Sequence, residues 1–330
     1  MTPFVHIPSW PHHKDEIVKQ IIARPGFLKI VLKIRDELHF LTEWLEHHKE
    51  IVGLENIIIF DNSSSDFQLG DFYKSLPDEV VVARFHTIHN LIHKVEEFPD
   101  LYDALSKSSS YFIFLDADEF LVMVNESLDV TRRDIVDAIR ASSEFSIMPT
   151  IWLNNGVGSR VLYECFSSDQ LGGMLYAGKP IIRSAEALSG WLLHNYHMDR
   201  RSFSNDVPLR FFVQHRLNLF PERRIEATIT KMAAVALIPE RWTAEQILRH
   251  DFSAVTDPGL YRYLNDLKKF VNGYSVSTFG TGFINMSIGR KIEFYSQSEF
   301  ATFDEFLRPS GQSAMQRYLG MNDGAVTATV

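Results

Sequence analysis

Three carboxylates fall within four residues at Asp116, Ala117, Asp118 and Glu119, directly after the apolar run from Tyr111 to Leu115. A short apolar run rich in aromatic residues predicts a buried strand. Side chains alternate across a strand, so a continued strand aims Asp116 and Asp118 one way and Glu119 the other. Ala117 leaves room between the pair. Two carboxylates at the mouth of a buried strand repel each other unless one is protonated or a cation sits between them. The pattern predicts a divalent-metal site at the carboxyl end of a central strand, where open α/β sheets bind ligands. A solvated acidic loop is the plainer alternative.

The elements that must position these groups read as alternating strands and helices. Leu28–Ile34 is the first expected strand. Leu38, Leu41, Leu45 and His48 then recur at helical spacing up to Gly53. Asn56–Phe60 is the second strand, broken by the turn-and-cap cluster Asp61–Asp66 before another helix. Val80–Phe85 is the third, and a helix through Leu101 and Leu105 leads to Tyr111–Leu115. This order implies an α/β fold with a mostly parallel sheet flanked by helices. Arg35, Asp61 and Asp116 each follow a strand and so share the carboxyl edge of the sheet. Together they outline a cleft for a nucleotide: an acid for base or ribose, a cation and a metal.

The bulk numbers exclude other classes. A formal charge of −9 over 330 residues argues against a nucleic-acid surface. One cysteine, Cys165, rules out an intrachain disulfide and fits a reducing compartment. No apolar run approaches a membrane span, and the proline- and histidine-rich start lacks the pattern of a signal peptide. The expectation is a cytoplasmic protein, with peripheral membrane contact left open.

Several blocks together resemble the GT-A fold glycosyltransferases of the family 2-like and family 92-like group. They are Lys33 to Glu37, Trp44 to His48 with Gly53, Ile59 to Asp66, and Phe114 to Phe120. Looser matches are Gly178 to Arg183, His194 to His197, and Gln214 to Arg216. Arg35 stands where the family pattern often has Asn, and Arg216 where an aromatic is common. The resemblance implies a Rossmann-like GT-A domain over 27–235, after a surface segment at 1–26 and before a mainly helical C-terminal extension at 236–330. It also implies transfer of a sugar from a nucleotide diphosphate sugar to an acceptor hydroxyl on a glycan or glycoconjugate, by inversion, as in polysaccharide biosynthesis.

By that resemblance, Asp118 holds Mn2+ or Mg2+, with Asp116 on the metal or the ribose, and one of His194, His215 and His197 completing the shell, the first two ahead of the third. Asp61 bonds the nucleobase or ribose, and Arg35, Lys179 and Arg183 contact phosphate. An acceptor base is sought among Glu119, Glu164, Asp169 and Asp199, with Asp199 and Glu119 carried forward. Trp152 reads as a sugar-stacking ring or as core packing. Arg223, Arg224 and Lys231 read as a solvated helix face or as flanking the diphosphate. Competing readings are a metal-dependent phosphatase, a nucleotidyltransferase, and a non-catalytic carbohydrate-binding relative.

Overall fold

The computed structural model describes residues 7–10, 12–86, 89–165, 178–187, 210–234, 237–239, 241–253, 258–271 and 282–296. In chain order these form α1 (Lys14–Ile22), β1 (Gly26–Ile34), α2 (Leu38–Val52), β2 (Ile57–Asp61), α3 (Phe67–Ser75), β3 (Val81–Arg84), α4 (Pro99–Ser108) and β4 (Ser109–Asp116). Next come β5 (Glu119–Val124), β6 (Val130–Thr131), α5 (Ile135–Ala141), β7 (Ile147–Met148), β8 (Ile151–Asn154), β9 (Leu162–Cys165), β10 (Ile181–Arg183) and β11 (Phe211–His215). The chain continues with α6 (Pro221–Ala234), α7 (Ala244–Arg249), α8 (Pro258–Val271), β12 (Gly282–Asn285) and β13 (Glu293–Ser296).

The central sheet has the order β3-β2-β1-β4-β10-β7. β3, β2, β1 and β4 run parallel, and β10 is antiparallel to both its neighbours. Both faces are covered, which is why these strands read as apolar runs, interrupted in β1 by Lys29 and Lys33. Leu28, Ile30, Leu32, Ile113 and Leu115 pack on α2 through Phe40, Leu41, Trp44 and Leu45. Val31, Phe60, Phe112 and Phe114 face the other way, onto Ile17 and Ile21 of α1 and Leu101, Tyr102 and Leu105 of α4. α2 ends at Gly53, whose φ of 77° is left-handed backbone that favours glycine. Asp66 caps α3 by accepting the Gln68 N–H.

Two smaller sheets complete the description. One has the order β6-β5-β11-β8, with β11 antiparallel to β5 and parallel to β8. The other has the order β13-β12-β9 and is antiparallel throughout. α6, α7 and α8 share a separate apolar cluster through Met232, Ile247, Leu260 and Leu267.

Three local expectations change. The strand before the acidic cluster does not run on through it: β4 stops at Asp116, Ala117 and Asp118 form a turn, and Glu119 opens β5. The stretch 272–289, whose Gly, Ser and Thr content predicts a loop, contains β12, which pairs with β9. The N-terminal segment does more than wrap the surface. Trp10 is buried against Phe60 and Phe98, and its N–H donates to the Arg84 carbonyl, extending the sheet beside β3.

Candidate functional site

Parallel pairing of β1 with β4 sets Lys33 beside Asp116 at the carboxyl edge of the sheet. The Lys33 ammonium lies 3.2 Å from Asp116 Oδ1, and the Lys179 ammonium lies 2.8 Å from Oδ2. Lys179 also approaches Glu119 Oε2 at 3.4 Å, and that oxygen accepts the Asp116 backbone N–H at 2.8 Å. Lys33 is also 3.1 Å from His93 Nε2. Burial pulls Lys33 below its ordinary range against the opposing charge of Asp116. For Lys179 burial acts the same way but is outweighed by Asp116 and Glu119, which hold it above the ordinary value. Burial pushes Glu119 up to about 7, against the pull of Lys179.

Lys179 reaches this position because Gly178 allows two backbones to meet. A Cβ on Gly178 would lie 2.2 Å from Thr150 Oγ1 and 2.3 Å from the Thr150 carbonyl. Only glycine fits there, and Thr150 Oγ1 donates to the Lys179 carbonyl at 2.8 Å.

The turn at Ala117–Asp118 sends Asp118 elsewhere. Its Oδ2 lies 3.1 Å from Nε2 of His215, the last residue of β11. His215 Nδ1 is 3.1 Å from Asn154 Oδ1, and its ring stacks on Trp152 with centroids 4.4 Å apart and planes at 14°. The Arg216 N–H donates to the Asp118 carbonyl at 2.8 Å. The Arg216 guanidinium sits 3.8 Å over the Phe120 ring and pairs with Glu43 of α2, tying β11 to β5 and to the central layer. Burial raises the Asp118 carboxyl, but the facing His215 outweighs it and holds the group low. Glu37, the N-cap of α2, lies near enough to feel the charges of Asp118 and Asp116. Burial, then the charges of Asp118 and Asp116, push its carboxyl well above the ordinary range.

These donors fit a divalent cation as a two-ligand site. Cis ligands of an octahedral ion with bonds of about 2.1 Å stand about 3.0 Å apart, close to the 3.1 Å between Asp118 Oδ2 and His215 Nε2. Among the described residues no group of three or more histidine, cysteine or acidic side chains converges as a complete shell. Mg2+-type ions commonly take one or two protein ligands and complete their shell with substrate phosphates and water. At Glu37 burial is the first cause of the raised carboxyl; Asp118 and Asp116 add to it, and Lys231 and Lys33 oppose it.

The predicted residues divide accordingly. The structure brings Asp116, Asp118, Glu119, Lys179 and His215 together. Asp116 is not placed as a metal ligand, because two ammonium groups stand on its oxygens. Glu119 is fully buried beneath Asp116, so its carboxylate does not face an acceptor. Lys179 is buried and committed to the two carboxylates, leaving its ammonium facing inward. Arg183 is a correction. It pairs with Tyr111 at the opposite end of β4 and holds Glu186 and the Ser143 carbonyl, far from the carboxyl edge. Asp61 is fully buried, with its oxygens engaged by Ser64, Arg84 and Tyr73. Arg35 is exposed at the end of β1, with no hydrogen-bond or ion-pair partner for its guanidinium among the described residues. His194, His197, Asp169 and Asp199 lie outside the described residues, as does the Glu164 side chain. Trp152 is half-buried and packs on the core and on His215.

Sequence reasoning passed over Lys33, Glu37 and Asn154 as site residues. Lys33 and Glu37 stand in the block quoted for the resemblance, and the available signal at Lys33 was a lysine at the carboxyl end of a mostly apolar strand that also holds Lys29. Asn154 carried none, since its role depends on β8 pairing with β11.

No protein-family model matches the sequence, and no curated protein is similar to it by sequence. Among solved structures it is similar to S. aureus TarS residues 1–349, at 12% identity and TM-score 0.36, covering 76% of this chain and 73% of that one. GalNAc-T7 with UDP, GalNAc and Mn2+ is similar at 13% identity and TM-score 0.37, covering 76% and 56%. A mannosyltransferase from Pyrobaculum calidifontis in complex with GDP-Man and Mn2+ is similar at 11% identity and TM-score 0.35, covering 97% and 83%. The chain spans 60% of the longer TarS structure. At this distance the likenesses assign no residue and no substrate.

Proposed function

We infer that the chain is a metal-dependent glycosyltransferase that takes a nucleotide diphosphate sugar as donor and a hydroxyl of a glycan or glycoconjugate as acceptor. The observation that carries this reading is the facing pair Asp118 and His215, 3.1 Å apart at the carboxyl end of β4. Asp118 and His215 would hold Mn2+ or Mg2+, which supplies positive charge against the departing diphosphate. Arg35 is available to fork onto a phosphate from the neighbouring strand end. Lys33 and Lys179 hold the Asp116 side chain in place, where it would accept a ribose hydroxyl. Glu119 fixes the turn by taking the Asp116 N–H. Inversion, the base Asp199 and the ligand His194 remain parts of this proposal that come from the family resemblance. Among the described residues no helix is long and apolar enough to cross a membrane.

The test is release of nucleoside diphosphate from a panel of nucleotide sugars, with Mn2+ and with a chelator. Turnover of one donor that the chelator abolishes is the expected result. Phosphate release from simple monoesters, or no turnover of any donor, overturns the reading.

A further inference from the structure

A histidine can serve a metal only if the nitrogen facing the ion carries a lone pair, and the partner of the other nitrogen decides which tautomer is present. At His215 that partner is Asn154. Its amide oxygen stands 3.1 Å from Nδ1 and can only accept, so the proton belongs on Nδ1. Nε2, 3.1 Å from Asp118 Oδ2, is then the nitrogen left to offer a lone pair to a cation. Between that nitrogen and the carboxylate the favourable occupant is a positive charge, a proton or a metal ion, and with Nδ1 already protonated Nε2 is the atom that can exchange one for the other.

The ring plane has its own support. Trp152 lies two residues before Asn154 on β8, and the parallel register sets Val213 beside Trp152 and His215 beside Asn154. The indole covers one face of the imidazole at 4.4 Å and 14°. It is itself packed on the main core, and its buried N–H has no hydrogen-bond partner among the described residues, so packing and the stack hold it. Two alternate side chains of one strand thus control the two freedoms of the histidine: Trp152 its plane and Asn154 its proton.

We propose that Trp152 and Asn154 are positioning residues for His215, fixing its imidazole in the Nδ1–H tautomer with Nε2 aimed beside Asp118 to receive a divalent cation. The inference rests on the metal-dependent reading above. It gives Trp152 a task other than stacking on a sugar.

The test measures Mn2+ affinity of the full chain by electron paramagnetic resonance of the free ion. Outer partners of a metal-bound histidine are typically worth about ten- to a hundredfold in affinity. Asn154→Leu and Trp152→Leu should weaken binding by about that factor. Asn154→Asp, which still accepts from Nδ1, and Trp152→Phe, which keeps a flat face, should restore most of it. Nitrogen-15 spectra of the Mg2+-loaded wild type should place the His215 proton on Nδ1, a signature that stability alone would not produce. Leucine variants that bind Mn2+ as the wild type does, while His215→Ala does not, overturn the positioning role and leave the metal reading standing. A wild-type proton on Nε2 also overturns it, even if the leucine variants fail to fold. A wild type that binds no Mn2+ removes the metal reading and this inference together.

Discussion

Asp61 and Asp118 both follow central strands, both reach the carboxyl edge of the sheet, and both look like ligand groups in the sequence. The structure treats them in opposite ways. Asp61 accepts the Ser64 N–H at 2.9 Å, Arg84 Nε at 3.3 Å and the Tyr73 hydroxyl at 3.0 Å. That fills three of the roughly four acceptor positions of a carboxylate. Around it the loops after β1 and β2 lock together. Asp36, at a left-handed φ of 54°, accepts the Ser65 and Asp66 N–H groups at 2.7 and 2.9 Å, and its own N–H donates to Ser64 Oγ. Asp118 meets only His215 through its side chain among the described residues, with further carboxylates nearby. A carboxylate with its acceptors filled by the fold is architecture. One with spare acceptors, facing other acids and a histidine, can take a ligand.

Substitution at the two positions should therefore fail differently. Asp61→Ala leaves Arg84 without its carboxylate in a buried setting, a loss of about 3–5 kcal/mol in stability. Urea unfolding reads that loss, and the fraction still folded should bind Mn2+ as before. A stable variant with weakened nucleotide binding would instead return Asp61 to the donor contact that the family resemblance implies. Asp118→Asn removes charge from the site and little packing. Donor turnover should fall by about 10²–10³-fold, with stability changed by no more than about 1 kcal/mol. Full activity in that variant would end the distinction between the two carboxylates.

The same contrast shows what can be read from residues in order. The strands at 28–34, 56–60, 80–85 and 111–115 were legible because a sheet buried on both faces leaves long apolar runs. α2 was legible from Leu41, Leu45 and His48 at helical spacing. The turn at Ala117–Asp118 was not, because alternation assumes that the strand continues, and nothing local announces that Glu119 will fold back onto the Asp116 N–H. The pairing of β11 with both β5 and β8 brings His215 to Asp118 from 97 positions away and to Asn154 from 61. Lys179 reaches Asp116 across 63 positions through the close approach at Gly178. Such contacts have no period in the sequence. β12 was hidden by its Gly-, Ser- and Thr-rich surroundings, which read as a loop although it pairs with nearby β13 as well as distant β9.

The smallest expected effect separates the two sides of the edge by pH. β5 leads away from Asp118, and two histidines of α2 grip it at Leu121. His47 Nε2 donates to the Leu121 carbonyl at 2.7 Å. His48 Nδ1 donates to the Trp44 carbonyl at 2.8 Å, which leaves its Nε2 to accept the Leu121 N–H at 3.3 Å. A protonated His48 would set one N–H against another. Burial pulls His47 down to about 3, and burial and then His47 pull His48 well below its ordinary value. Unfolded histidine takes up a proton near 6.5, so between about 6.5 and 3 the unfolded chain binds more protons and stability falls as pH falls. For His47 this amounts to on the order of 1–2 kcal/mol by pH 5. His47→Gln keeps a donor for the Leu121 carbonyl but does not titrate, so its urea-unfolding free energy should drop less between pH 7 and pH 5 than that of the wild type. Parallel profiles for the two proteins would mean that His47 is not held neutral. Amide exchange would then show β5 opening no earlier in acid than β2, where Asp61 is tied in without any histidine.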